Sequence, residues 1–388
     1  MRSDRTFKVL AHKVLRILVA LGAVRVVHLS SKGRISQFVE RIEPAIRTKL
    51  VRYKWFPPVI LALNPVDTPN SAVTAYFSSR VVFIHAESTR RITTALGQVA
   101  DGVPDKPIRV IRKIKRPGDP WLLRPSIGTR KSWAAETDEL LERMGIARGT
   151  PVVLLAIRDE SYYEKARANH ALEPGSEVQT NTYIRNPDPA TYGTAILRLN
   201  QLGYIVTSFG SKAVSWPTDV SSGFVDYATG FRTARGDLLM ARYCTMMMNG
   251  ATGASLLAGM FNRPVAFSNS YVPFMAGFGA NRFIPQLMWS EREQRLLSFL
   301  EMAKSGWTYT YLENCQRDGI VLVKNTADDI ADHAIECLER TQGVFLETTM
   351  DHDLQSRFRH IQQLSPPPVD RHIPIGTLFL RKYQHLLN

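Results

Sequence analysis

Short apolar runs bounded by small or charged residues alternate along this chain with longer stretches spaced to bury one helical face. The run VRVVHLSSKG from Val24 reads as a strand ending in a small-residue turn, and Ile35 to Leu50 as the helix after it. Further strands come at VILALNPVDTPN and RVVFI, giving strand, helix, strand, the order of a parallel sheet with crossover helices. Residues 101 to 130 carry five prolines, little periodicity, and a basic cluster at Arg109, Arg112, Lys113, Lys115 and Arg116. A helix from Ser132 to Met144, stopped by Gly145, is expected to close this first domain.

The second half repeats the pattern. In PVVLLAIRDESYY, from Pro151, an apolar run ends in Arg158, Asp159 and Glu160, the form of a buried parallel strand that delivers charge at its carboxyl end. Tyr162 to Thr182 is mixed in charge and aperiodic, and returns to order at Tyr183-Ile184-Arg185-Asn186. Asp188 is placed to cap a helix with Pro189 at its first position, a buried stripe of Tyr192, Ala195, Ile196, Leu199 and Leu202, and Gly203 as its end. Strands follow at YIVTSFGS and Phe224 to Ala228, then a helix over Asp237 to Tyr243. The strand TMMMN, a small-residue turn from Gly250 to Ser255, the helix SLLAGMF and a strand from Pro264 to Asn269 complete doubly wound α/β logic. The expected division is a helix over 1–22, a first α/β domain over 23–145, a second over 146–345, and a C-terminal segment over 346–388 that packs back.

Composition narrows the partners. With 388 residues the chain supports two cores. Its 49 Lys and Arg against 35 Asp and Glu give +14, which favours an anionic partner such as a nucleotide, a lipid phosphate or a membrane surface. Three cysteines, Cys244, Cys315 and Cys337, are too few and scattered for a disulfide framework, which suits the cytoplasm. At the N-terminus Phe7, Leu10, Val14, Leu18 and Leu21 fall on one helical face and Lys8, His12 and Arg16 on the other. This is either an amphipathic helix lying on an anionic membrane or one covering the protein's own core.

Three features have the chemistry to hold a diphosphate. The turn Thr252, Gly253, Ala254 and Ser255 would present backbone N–H groups at a helix start. Arg158 at a strand's carboxyl end offers a bidentate guanidinium, and Arg185, flanked by Tyr183 and Asn186, a second charge. Arg232, Arg235 and Asp237 stand at another helix start in the same half. No zinc spacing, P-loop or nicotinamide fingerprint is present, and such a clamp needs no divalent cation or other cofactor.

The segments LLAIRDESYY, YIRNPDPATYGTAILRLNQLGY, FVDYATGFRTARGDLLMARYC with MMMNGATGA, and LMWSEREQRLLSF resemble a bacterial family of GT-B type glycosyltransferases of surface polysaccharide synthesis. VRVVHLSSKG, LALNPVDTPN and IGTLFLRKYQHLL are more loosely similar. The resemblance implies two facing Rossmann-like domains with parallel sheets, a nucleotide-sugar donor bound mainly by the second, and a glycan or lipid-linked acceptor bound mainly by the first. AIRD is also similar to the arginine motif of fucosyltransferase-like GT-B enzymes, where the arginine meets the donor diphosphate. Ala156 stands where such motifs often have histidine, and Thr252-Gly253 where Ser-Gly is usual, which leaves the donor open.

Inverting transfer to a hydroxyl requires a base near the acceptor, for which His28, Asp159, Glu160 and Asp67 compete. The expectation is therefore a metal-independent glycosyltransferase at the inner membrane face. A nucleotide-sugar hydrolase or epimerase on the same fold is the first alternative. A basic nucleic-acid-binding protein is the second, and the chain lacks a motif for it.

Overall fold

The computed structural model describes residues 17, 24–28, 35–52, 59–63, 70–84, 131–158, 184–210, 216, 223–250, 252–270, 279–306, 308–366 and 373–388. They belong to two units, Met1–Thr129 and Arg130–Asn388. The expected N-terminal helix, apart from Ile17, and the basic cluster of 109–116 lie outside the described residues.

In the first unit β1 (Val24–His28), β2 (Val59–Leu63) and β3 (Val81–Ile84) pair in parallel in that order. Helices α1 (Ile35–Arg52) and α2 (Ser71–Phe77) fall between them in the chain, the alternation that the apolar pattern predicts. Phe38, Val39, Ile42 and Ile46 form the buried stripe of α1, and Phe38 stacks on Phe83 with 5.8 Å between ring centres. Asn70 starts α2 by accepting from the Val73 amide at 3.1 Å, satisfying one of the donors that a helix start leaves over.

The second unit begins with α3 (Ser132–Arg143) and β4 (Val152–Ala156). A 3-10 turn over Pro189–Tyr192 leads into α4 (Gly193–Gln201), then come β5 (Ile205–Ser208), β6 (Phe224–Val225), α5 (Tyr227–Gly230) and α6 (Ala234–Tyr243). β7 (Met246–Asn249), α7 (Ser255–Met260), β8 (Val265–Ser270) and β9 (Arg282–Pro285) complete a six-stranded sheet, all parallel, in the order β6-β5-β4-β7-β8-β9. The chain thus steps outward from β4 to β6, then returns to add β7 against the other side of β4. That reversal makes the carboxyl ends of β4 and β7 the switch point of the sheet, where parallel α/β folds place their ligands.

β4 is buried at all five positions, because helices cover both faces of the sheet. Val153 and Leu155 pack with Ile196 and Leu199 of α4 and with Ile330, Ala331 and Ala334 of α10 (Ala327–Gln342). A second sheet, antiparallel in the order β11-β10-β12, is made of β10 (Leu287–Ser290), β11 (Arg295–Leu296) and β12 (Ile320–Val323). Helices α8 (Phe299–Ser305), α9 (Leu312–Asp318), α11 (Thr349–Gln363) and α12 (Thr377–Lys382) complete the unit.

The C-terminal segment packs within this unit. Lys382 of α12 bonds Asp329 at 2.6 Å, and Arg381 grips Asp351 with two bonds of 2.7 and 2.6 Å. Just before α12 the chain runs beside β9, where the Phe283 amide donates to Pro374 O at 3.2 Å and the Gly376 amide to Phe283 O at 2.9 Å.

Three details differ from expectation. Helix α3, expected to close the first domain, sits in the second unit: Trp133 meets Phe261 edge-on, and Arg235 both lies over the Trp133 ring and bonds Glu136 at 2.7 Å. Leu202 leaves the buried stripe of α4, since the helix stops at Gln201 and Gly203, at φ +82°, turns the chain away. β6 is only two residues long, because Asp226 accepts from the Thr229 amide and starts α5 there. Among the described residues no helix is long and apolar enough to cross a membrane.

Candidate functional site

Arg158 stands two residues beyond β4, half-buried at the switch point. The register pairs Ala156 with Asn249, and the Gly250 amide donates to Ala156 O at 2.9 Å, so β4 and β7 stay joined to their last residues. Over this joint lies the segment that follows the Tyr162 to Thr182 stretch. A methyl group at Gly250 would lie 3.0 Å from Ile157 Cγ2, 3.0 Å from the Tyr192 hydroxyl and 3.2 Å from Pro187 Cγ. Glycine is what admits this approach. Arg158 is one residue from Ile157, and Arg185 two from Pro187, along the two segments that meet here.

The 184–192 segment is held from several sides. Asp188 accepts from the Ala190 amide at 3.0 Å with Pro189 behind it, the start that the sequence predicts, here of a 3-10 turn that becomes α4. The buried Tyr192 hydroxyl shares a 2.8 Å bond with Ser268 of β8, and burial pushes its pKa up, so it stays protonated. Lys324, just past β12, donates to Asn186 O at 2.7 Å. Burial lowers the Lys324 pKa, partly countered by Asp188. Gln286, between β9 and β10, donates from Nε2 to Ile184 O at 2.7 Å and to Asn269 O at 3.2 Å.

Asn269 takes a left-handed conformation, φ +52°, inside β8 where the register against β9 shifts. Asn325 meets it reciprocally: Asn269 N donates to Asn325 Oδ1 at 2.6 Å, and Asn325 N to Asn269 Oδ1 at 2.8 Å. This buried amide network and Lys324 escape sequence reading. Their only traces are a lone Gln between RFIP and LMWS, and a Lys-Asn pair directly after the strand IVLV.

The glycine turn is more self-contained than expected. The Thr252 amide donates to Asn249 Oδ1 at 2.7 Å and the Ala254 amide to Thr252 Oγ1 at 3.2 Å, while Ser255 Oγ donates to Thr252 O. Asn249, buried at the end of β7, thus takes up one amide expected to face a phosphate, and Thr252 itself another. The helix after Gly253 spans only Ser255–Met260, which limits the dipole it can offer. Arg232 and Asp237, expected to face a ligand, are tied to each other at 3.1 Å, and Tyr227 donates to the same carboxylate. They follow the carboxyl end of β6, to one side of the switch point.

Asp159, Glu160, Tyr183 and Asp67 lie outside the described residues. His28 is the last residue of β1, and its side chain also lies outside them. At this edge of the second unit Arg158 follows β4, Arg185 and Asn186 belong to the segment whose Pro187 and Tyr192 close over Gly250, and Lys324 is bonded to Asn186 O. A guanidinium at such an edge has the chemistry to hold an anion.

No family model matches the chain, and no curated protein matches it. Among solved structures, a glycosyl transferase family 9 protein from Veillonella parvula DSM 2008 is similar at 12% identity, over 68% of this chain and 85% of that chain, with a TM-score of 0.37.

Proposed function

We propose that this chain is a GT-B type glycosyltransferase, moving a sugar from a nucleoside diphosphate to a glycan or lipid-linked acceptor. The observation that supports the reading is the close approach over Gly250 at the switch of a doubly wound sheet, where Ile157 and Pro187, one residue from Arg158 and two from Arg185, come together. The resemblance of LLAIRDESYY and YIRNPDPATYG supports the same two segments.

In this reading Arg158 and Arg185 bind the donor diphosphate. As the glycosidic bond breaks, negative charge grows on the leaving diphosphate, and donors already fixed at that place stabilise it without reorganising. Their two positive charges do this without a divalent cation. The first unit holds the acceptor, with His28, Asp159 and Glu160 as the competing bases. The protein works in the cytoplasm, and the amphipathic segment 1–22 holds it to the inner membrane face.

Calorimetry with UDP, GDP, CMP and dTDP identifies the donor base. Arg158→Ala should then lower turnover about a hundredfold to a thousandfold with folding unchanged, and EDTA should leave wild-type turnover intact. Near-normal activity of the variant would refute the role of Arg158. Equal turnover with and without a glycan acceptor would make the enzyme a hydrolase instead. Unchanged vesicle partition after deletion of 1–20 would remove the membrane contact.

A further inference from the structure

Two tethers flank Arg185 in the chain. One residue before it, Ile184 O accepts from Gln286 Nε2 at 2.7 Å, and one residue after it, Asn186 O accepts from Lys324 Nζ at 2.7 Å. Both donors come from far along the sequence, 102 and 138 residues away. They also belong to one assembly. Gln286 Nε2 reaches Asn269 O, Asn269 and Asn325 exchange backbone-to-side-chain bonds, and Asn325 Nδ2 donates to Pro285 O at 2.8 Å, next to Gln286. Lys324 precedes Asn325 directly.

The assembly is rigid for physical reasons. Gln286, Asn269 and Asn325 are nearly inaccessible to water, so breaking any of these bonds strands a polar group. Asn269 holds a left-handed conformation that costs a non-glycine residue energy, and its neighbours' bonds keep it there. Two carbonyl acceptors also fix which end of the Gln286 amide faces the segment, since only its NH2 can donate.

We infer that Gln286 and Lys324 are positioning residues that fix the backbone on both sides of Arg185, and so set the guanidinium for the donor diphosphate. The inference rests on the proposed donor site and names the supports of that site. Neither residue is asked to touch the donor; each acts through Arg185.

The test uses the full chain and its Gln286→Leu, Lys324→Met, Lys324→Arg and Arg185→Ala variants, with each tether variant also combined with Arg185→Ala. Gln286→Leu and Lys324→Met should each weaken affinity for UDP or GDP, whichever the wild type binds, about tenfold. Donor KM should rise in step, and kcat should fall as well, because Arg185 also meets the charge that grows on the leaving diphosphate. Lys324→Arg, which keeps a donor, should recover most of the loss. In the Arg185→Ala background neither tether variant should cost anything further, because residues acting through one group are not additive. Hydrogen exchange over 184–192 should quicken about tenfold in both variants, which reads the tether without any ligand.

Full additive losses on top of Arg185→Ala, or unchanged exchange over 184–192, would overturn the inference. Should Gln286→Leu fail to fold, Lys324→Met carries the test, since Lys324 is only half-buried. A wild type that binds none of the nucleoside diphosphates would overturn the donor site itself, and the exchange measurement would still judge the tethers separately.

Discussion

His333 offers a direct test of the packing around the C-terminal segment. It lies on α10 with only 2% of its surface exposed, against Gly376, where a methyl group would come within 2.6 Å of its ring. Burial pushes its pKa from 6.5 down to about 4; Arg282 acts in the same direction, Glu336 opposes it, and Cys337 Sγ lies 4.0 Å from Nε2. The unfolded chain therefore binds a proton between pH 6.5 and about 4 that the folded protein refuses. Stability is full above 6.5 and falls with pH across that window. At about 1.4 kcal/mol per pH unit the loss amounts to about 3 kcal/mol. His333→Gln removes the titration while keeping a polar side chain of similar length. Urea midpoints of wild type and variant, taken from pH 7 to 4.5, should diverge at neutral pH and converge as pH falls. A variant that keeps the wild-type slope would refute the assignment.

Other outcomes follow from the same structure. Asp351 is held well below the usual carboxylate range by Arg381, so its contribution should disappear only below about pH 4, in a window separate from that of His333. Asp351→Asn should cost about 2 kcal/mol, read as a Tm drop of about 4–8 °C. Gly250→Ala should destabilise by about 1–3 kcal/mol through overpacking against Ile157 and Pro187, and should also weaken nucleotide binding; unchanged Tm and affinity would contradict the close approach. Trp133→Ala should destabilise the second unit by about 3 kcal/mol, measured as its urea midpoint, whereas no shift would return α3 to the first unit.

Local rules made much of the second unit legible. VVLLA reads as a buried parallel strand because both sheet faces are covered, and Asp188-Pro189 reads as a helix start because capping needs only neighbours in sequence. The same logic singles out Arg158, a charge ending an apolar run. What stayed hidden depends on distance along the chain. Nothing local pairs Gln286 with Ile184, Lys324 with Asn186, or Arg235 with Glu136 across 99 residues. Gly250 to Ser255 reads in the sequence as an anion cradle, and in the structure Asn249, Thr252 and Ser255 also bond polar groups of the turn itself. In the same turn Gly250 matters for the space it leaves rather than for the amides around it.

The strip of chain beside β9 has a consequence for synthesis. A parallel sheet ending in an open strand exposes a row of unmatched backbone groups, a template for pairing with other molecules. Here that strand waits for residues 374–376, and Arg282 reaches Ile375 O, 93 positions later. At roughly 5–20 residues per second a ribosome needs on the order of 5–18 s to deliver them. During that interval the β9 edge of the newly made sheet stands without the partner that later covers it, so nascent chains expose backbone groups there that the finished protein has paired.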